Sequence, residues 1–107
     1  MMESQEYLVA FYVYLLHCSD GSYYVGHTDN IESRLAQHQT GVLPGYTATR
    51  LPVKLLKSES FPTREEALTA EMQLKGWSRV KKEAWVNNDF VLLQQLAKKK
   101  FSKRDEK

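Results

Sequence analysis

One carboxylate in the sequence falls where a helix is otherwise apolar. This helix is predicted over residues 63–76. At about 100° per residue, one of its sides carries an apolar arc made of Ala67, Leu68, Ala70, Met72, Leu74 and Trp77. Glu71 projects inside that arc. Because an unpaired buried carboxylate is costly, Glu71 must be protonated, solvated in a cleft, paired with a cation or bound to a metal ion. An ion pair at the edge of the core explains this pattern as well as a functional site does.

An earlier predicted helix carries a histidine on its inner side. Ile31, Leu35 and His38 follow i, i+4, i+7 spacing, and Arg34 lies one turn before His38. A histidine in such a stripe is more often a satisfied core residue than a base or a ligand. An arginine on the flank is normally a surface charge whose aliphatic stem covers the core. Whether His38 and Arg34 indicate a functional site depends on the groups that the fold places beside them.

Aromatic and hydroxyl side chains are concentrated in two further segments. The first segment holds Tyr12, Tyr14, Tyr23 and Tyr24, with His27 just beyond them. The second is a predicted loop that holds Tyr46, Thr47, Thr49 and Arg50. Tyrosines are good packing residues in strands, so the first segment alone does not indicate a site. The loop residues are either phosphate contacts or ordinary loop residues.

Hydrophobic periodicity and turn residues predict seven elements that position these side chains. Strands are predicted at 7–17, 22–26 and 53–59, the first of them apolar at nearly every position, as in a strand covered on both faces. Helices are predicted from a capping box at Asp29 and Glu32 to about residue 39, at 63–76, at 78–86 and at 89–100. The order β-β-α-β-α-α-α predicts an α+β domain in which helices cover an antiparallel sheet.

The loop of the first hairpin decides which tyrosines share a face of the sheet. A two-residue loop, Asp20 and Gly21, would place Tyr14 and Tyr24 on opposite faces. A three-residue loop, 19–21 with Gly21 left-handed, would place Tyr14 opposite Gly26 and on one face with Tyr24. The residues of the turn allow both loops.

Length, composition and charge bound the class of protein. A chain of 107 residues predicts one domain over 1–107, with a core at about 7–87, a helix at 89–100 and a basic tail at 98–107. The longest apolar run, 8–16, is too short for a membrane helix, and the acidic start is unlike a signal peptide. The lone Cys18 excludes a cysteine zinc cluster. Together with the lack of a membrane helix or signal-peptide pattern, a single cysteine predicts a cytoplasmic protein. Residues 94–107 carry a net +4, which attracts phosphate or is simply a solvated helix end.

The spacing of these residues resembles a known family. YVY at 12–14, YVG at 24–26, then Arg34 and His38 on one helix and Glu71 on a later one resemble the GIY-YIG endonuclease superfamily over about residues 8–87. The runs YVGHT, GYTATR, PVKLL and EEALTAEMQLKGWSR are similar to small stand-alone GIY-YIG domain proteins of bacteria. Tyr12 replaces the first Gly of the family motif, while Tyr14 keeps its tyrosine.

The resemblance implies a fold, a reaction and a set of roles. The implied fold is a three-stranded antiparallel sheet flanked by helices, and the implied reaction is hydrolysis of a DNA phosphodiester with Mg²⁺ or Mn²⁺. Glu71 would be the metal ligand and Arg34 the phosphate contact. The active-site tyrosines would be Tyr14 and Tyr24, with His27 and His38 as supporting histidines. If both tyrosines converge on one site, the three-residue hairpin loop is required.

The attacking water needs a base, and the residues leave two candidates. An ordinary tyrosine has a pKa of about 10, so ionising it at pH 7 costs about 4 kcal/mol. Tyr14 can serve only if nearby cations or the metal lower that pKa. His27 is the competing base, or the group that accepts the proton of Tyr14, while Tyr24 would orient water or phosphate.

These expectations lead to one main function and two alternatives. The main one is a metal-dependent endonuclease that selects branched, flapped or single-stranded DNA, linked to DNA repair or recombination. Tyr46, Thr47 and Arg50 would contact the DNA. The alternatives are a non-catalytic module that binds nucleic acid or protein, and a nuclease that is active only with a protein partner. Intact Tyr14 and Glu71 favour the enzyme.

Overall fold

A computed structural model describes residues 9–105, and describes side chains over residues 9–97. The start of the first predicted strand, at residues 7 and 8, and the side chains of the basic tail at 98–107 lie outside the described residues. Strand β1 spans Phe11–His17, β2 spans Tyr23–Thr28 and β3 spans Lys54–Phe61. Helix α1 spans Ile31–Thr40, α2 Arg64–Lys75, α3 Arg79–Val86 and α4 Phe90–Asp105. The predicted element order and α+β class are confirmed.

The three strands form one antiparallel sheet in the order β2-β1-β3. The central strand β1 has four consecutive buried residues, Val13 to Leu16, as its apolar sequence predicted. Since successive side chains alternate between faces, this run means that both faces of β1 are covered. Strand β2 is an edge strand, and that position matters for the site below.

The first hairpin uses the three-residue loop. Tyr14 lies opposite Gly26 in the register, and the amide of Cys18 bonds the carbonyl of Ser22 across the loop. Gly21 has φ 88°, the left-handed conformation that this loop needs and that glycine adopts without steric cost. Tyr14 and Tyr24 therefore share one face of the sheet.

Helix α1 begins one residue later than the sequence predicted. Asn30, not Asp29, caps it, because the Asn30 side chain accepts a hydrogen bond from the amide of Ser33 at 3.0 Å. Gly41 ends the helix in the left-handed conformation, as predicted. Helix α1 brings Ile31 and Leu35 against a buried cluster on the tyrosine face of the sheet, which includes Leu16, Cys18 and Val53.

Helix α2 begins after Thr63, whose hydroxyl accepts from the amide of Glu66 at 3.1 Å, as the capping pattern predicted. The helix contacts all three strands. Ala67 and Leu74 are buried as expected, but Leu68 and Met72 are exposed, so the apolar arc is narrower than the sequence pattern suggested. Glu71 lies within the buried part of that arc.

The described chain falls into two compact units, divided between Lys75 and Gly76. The first unit contains the sheet, α1 and α2, and the second contains α3 and α4. Within the second unit, Ser78 caps α3 and Asn87 ends it, as the polar break at 87–88 predicted. One domain over 1–107 stays a prediction. None of the helices within residues 9–105 combines the length and apolar character needed to cross a bilayer.

Candidate active site

Two tyrosines meet over a glycine on the covered face of the hairpin. The ring centroids of Tyr14 and Tyr24 are 6.3 Å apart. A Cβ on Gly26 would lie 2.6 Å from the Tyr14 hydroxyl and 3.1 Å from Cε2 of Tyr24. Gly26 is therefore required by the close approach of the two rings, and any larger residue would push them apart.

Tyr14 belongs to a buried chain of hydrogen bonds. Its hydroxyl lies 2.9 Å from Nε2 of His38, and Nδ1 of the same ring lies 2.8 Å from the Thr47 hydroxyl. All three residues are at most 3% exposed. His38 is thus both a satisfied core residue and the histidine that contacts Tyr14. Each ring nitrogen has one partner, which fixes the orientation of the imidazole.

The charged forms of Tyr14 and His38 are both disfavoured by their surroundings. Burial, assisted by the nearby Tyr24, raises the pKa of Tyr14 to about 12, although a hydrogen bond and the positive charge of Arg34 act in the opposite direction. Burial and the charge of Arg34 lower the pKa of His38. At pH 7 both side chains are neutral. We call Tyr14, Tyr24, Arg34, His38 and Thr47 the tyrosine–histidine group.

The loop between α1 and β3 stacks on this group. The ring of Tyr46 stacks on Tyr24 at 6.2 Å between centroids, and the guanidinium of Arg50 lies 3.8 Å above the Tyr46 ring. Arg50 is also paired with Asp20 at 2.9 Å. Tyr46 is 41% exposed, so this loop forms an accessible border to the site.

Glu71 is paired with two neighbours. Oε1 bonds Nδ1 of His27, and Oε2 lies 2.7 Å from the ammonium of Lys75, one helical turn further on. Burial works to raise the pKa of Glu71, but the hydrogen bonds from Lys75 and His27 outweigh it and leave that pKa below its usual value. The hydrogen bond with Glu71 raises the pKa of Lys75. We call His27, Glu71 and Lys75 the carboxylate group.

The two groups lie at one edge of the sheet. His27 alternates with Tyr24 and Gly26 along β2, so its side chain points to the opposite face. Nevertheless Glu71 acts electrostatically on Tyr14, and Tyr24 acts on Lys75. Strand β2 is one of the two edge strands, and each group takes a side chain from it, Tyr24 for the first and His27 for the second. The predicted residues Tyr14, Tyr24, Arg34, His38 and Glu71 are therefore brought together.

One expected partnership is different in the structure. The histidine at the Tyr14 hydroxyl is His38, and His27 bonds Glu71 instead, because His27 lies on the other face of β2. Thr47 is buried with its hydroxyl on His38, so that hydroxyl already has a partner, and contact of Thr47 with DNA stays a prediction. Tyr46 and Arg50 remain at the border of the site.

Sequence reasoning did not single out Lys75. Its distinguishing signal is the i, i+4 spacing from Glu71, with the acid on the N-terminal side, which is the favourable order for a helical ion pair. The pattern was visible, but so many such pairs occur on helix surfaces that only the burial of Glu71 gives this one significance. That burial leaves Glu71 8% exposed.

The donor chemistry at Glu71 fits a hard divalent cation. Mg²⁺ prefers oxygen ligands, keeps several waters and commonly uses one or two carboxylates together with substrate phosphate oxygens. Glu71 offers an ionised carboxylate at a position that already holds the positive charge of Lys75. Within the part of the chain with described side chains, no three His, Cys, Asp or Glu residues converge as metal ligands. Among the residues with described side chains, Glu71 is the one that would hold such an ion.

The chain is similar to proteins of known sequence and structure. The chain is 45% identical over 78 residues to a UPF0213 protein of Streptococcus pneumoniae serotype 4, covering 73% of this chain and 79% of the relative. It is 44% identical over 73 residues to a UPF0213 protein of Halobacterium salinarum, covering 68% and 95% of the two chains. A solution NMR structure of an E. faecalis protein has a TM-score of 0.54 and 37% identity, covering 77% of this chain and 88% of that one.

The family assignment follows from a match that contains the site. The family model for the GIY-YIG catalytic domain matches residues 10–84, a segment that includes both hydrogen-bonded groups. The observed three-stranded antiparallel sheet flanked by helices is consistent with the α+β fold of GIY-YIG domains. The chain belongs to the GIY-YIG domain family, within a superfamily of nucleases.

Proposed function

We propose that this protein is a divalent-cation-dependent endonuclease that hydrolyses phosphodiester bonds of DNA. The observation that carries the proposal is the carboxylate of Glu71, which is 8% exposed, bonded to His27 and Lys75, and within electrostatic range of Tyr14. A carboxylate kept charged in a buried place, beside buried groups that are kept neutral, is a typical arrangement of catalytic sites. Membership of a nuclease superfamily supports the same reaction.

Glu71 would hold the cation, with water and phosphate oxygens completing the coordination. Bound there, Mg²⁺ or Mn²⁺ would polarise the scissile phosphate and stabilise the leaving alkoxide. Arg34 would contact the phosphate, because its guanidinium lies beside Tyr14 and the planar guanidinium fork matches phosphate oxygens. His27 would hold the Glu71 carboxylate in place through its Nδ1 bond.

Tyr14 would accept the proton of the attacking water, and His38 would accept the proton of Tyr14. A tyrosine with a pKa of about 12 is neutral at pH 7, so it accepts a proton only as it gives up its own. His38 is the acceptor in reach, since its Nε2 lies 2.9 Å from the Tyr14 hydroxyl and its lowered pKa keeps the imidazole neutral. Tyr24, packed against both rings, would orient the water or the phosphate.

DNA would approach along the loop that borders Tyr24. Tyr46 exposes part of its ring there, and Arg50 lies above it. Contacts of this kind position the backbone rather than read bases, which is compatible with selectivity for DNA structure. The basic stretch at 98–107 would add non-specific attraction to phosphate. A link to DNA repair or recombination follows if the preferred DNA is branched or flapped.

The test uses the purified protein and labelled flap, splayed, four-way and single-stranded DNA. Each substrate is incubated with Mg²⁺, with Mn²⁺ and with a chelator. The proposal expects cut products in the presence of a cation and none with the chelator. Binding of DNA without any cut product would favour the alternative, a non-catalytic module on the same scaffold. Cleavage that appears only with cell extract would instead indicate a required protein partner.

A further inference from the structure

The carboxylate group differs from an open metal site because both oxygens of Glu71 already have partners. Oε1 bonds Nδ1 of His27, and Oε2 lies 2.7 Å from the Lys75 ammonium. A divalent cation that binds Glu71 therefore meets a carboxylate whose charge is already balanced. Two positive charges on one carboxylate oxygen repel each other, so one of the present partners must give way.

The two partners are not equally free to move. His27 lies on strand β2, and its side chain is 24% exposed. Lys75 is the last residue of α2, and its side chain is 54% exposed. The ammonium stands on a flexible four-carbon stem and is readily hydrated, so it can swing into water without any change of backbone. Lys75 is the exchangeable partner.

We propose that Lys75 is an internal competitor for the divalent cation: its ammonium occupies the cation's position on Glu71 until the ion displaces it. This inference rests on the proposed function, since it assumes that Glu71 is the cation ligand. It has a direct consequence for affinity. Every binding event must first break the pair between Lys75 and Glu71, so the protein binds the cation more weakly than the same carboxylate would without Lys75.

Cation binding without DNA provides the measurement. Calorimetric titration with Mn²⁺ is carried out on the wild type, Lys75→Met, Glu71→Gln and the control Lys54→Met. Lys54 is an exposed lysine of the same unit, so its replacement removes the same charge away from Glu71. We expect about fivefold tighter binding for Lys75→Met, which corresponds to the upper range for an exposed ion pair. Lys54→Met should bind like the wild type, and Glu71→Gln should not bind.

Exchange of the lysine is also visible by NMR. Addition of Mg²⁺ to the wild type should shift the Cε and Hε signals of Lys75, because the ammonium leaves the carboxylate. The same addition to Glu71→Gln should leave these signals unchanged. Unfolding of Lys75→Met without cation verifies that the variant is folded under the conditions of the titration.

The outcomes separate this inference from the proposed function. Equal Mn²⁺ affinity of Lys75→Met and the wild type, with binding lost in Glu71→Gln, overturns the role of Lys75 and leaves the endonuclease proposal standing. Mn²⁺ binding that Glu71→Gln retains overturns both. So does absence of binding in both the wild type and Lys75→Met.

Discussion

The tyrosine–histidine group and the carboxylate group both use a side chain of strand β2, and burial disfavours charge in both, yet only the second keeps a buried side chain charged. In the first group, burial raises the pKa of Tyr14 to about 12 and lowers that of His38, so both are neutral. In the second group, burial also opposes the charge of Glu71, but bonds from Lys75 and His27 outweigh it. The difference lies in the partners: bonds from the Lys75 ammonium and from His27 outweigh burial at Glu71, whereas Arg34 does not outweigh it at Tyr14.

This comparison separates two tasks that a phosphodiester hydrolase must perform. Neutral, hydrogen-bonded side chains can receive and pass a proton, whereas a fixed negative charge can hold a cation. In the proposed endonuclease, strand β2 would keep the two tasks apart, since Tyr24 and His27 point to its opposite faces. The following predictions test whether each group depends on its own partners.

Loss of the Tyr14 hydroxyl should have the largest effect. We expect Tyr14→Phe to reduce the rate of DNA cleavage at least ~10²-fold, the usual contribution of a proton-transferring group. Tyr12→Phe is the matched control, because Tyr12 lies two residues earlier on the same strand and face. Single-turnover cleavage measures both. Equal rates for the two variants would remove Tyr14 from the proton path.

A methyl group at Gly26 should disturb the tyrosine pair. Gly26→Ala places a carbon 2.6 Å from the Tyr14 hydroxyl and 2.8 Å from Cζ, and we expect a loss of about 1–3 kcal/mol in the free energy of unfolding. Combination with Tyr14→Phe removes the closest contact. Urea unfolding of both single variants and the double variant should therefore show a smaller cost in the double variant than the sum. Simple additivity would contradict the packing argument.

The Thr47 hydroxyl should matter through His38. Thr47→Val keeps the shape but leaves Nδ1 of a 3% exposed histidine without its partner, which costs about 1–2 kcal/mol of stability. Thr47→Ser keeps the hydroxyl and should lie close to the wild type. Urea unfolding measures stability, and ¹⁵N spectra of the His38 ring report its tautomer. If Val and Ser give the same spectra, Thr47 does not orient the ring.

Acid should weaken the two groups in pH windows that begin at different values. His38 has a folded pKa below the unfolded value of about 6.5, so its contribution is complete above pH 6.5 and is lost as pH falls through the folded pKa. The pKa of Glu71 is also lowered, so its contribution is lost only further down, below about pH 4.5. Unfolding free energy measured from pH 8 down to about pH 2 should fall in both windows. His38→Gln should flatten the upper one, and Glu71→Gln the lower one.

Much of this arrangement could be predicted from local sequence. The capping residue Thr63, the stop at Gly41 and the apolar run of β1 each indicate an element through its own side chains. Asn30 was missed because two capping residues are adjacent, and only the amide of Ser33 selects between them. The hairpin loop was ambiguous for a similar reason, since both turns suit the same residues. In the observed three-residue loop, Tyr14 packs against Gly26.

Partnerships across the fold were harder to predict. The alternation of side chains along β2 predicts that His27 and Tyr24 lie on opposite faces of the sheet. It does not identify the residue that contacts either one. The bond between His38 and Tyr14 joins residues 24 positions apart, and that between His27 and Glu71 joins residues 44 apart. Such contacts depend on how α1 and α2 settle on the sheet. The burial of Glu71 was predictable from periodicity, whereas the choice among its possible partners was not.

The most direct test of the central claim is cleavage by Glu71→Gln. This change keeps the size of the side chain and removes its charge, and Glu65→Gln makes the same change at an exposed position of the same helix. Both variants and the wild type are incubated with labelled DNA and Mg²⁺ at pH 7.5. The account predicts at least ~10²-fold slower cleavage by Glu71→Gln, with Glu65→Gln close to the wild type. Cleavage by Glu71→Gln at the wild-type rate would contradict it.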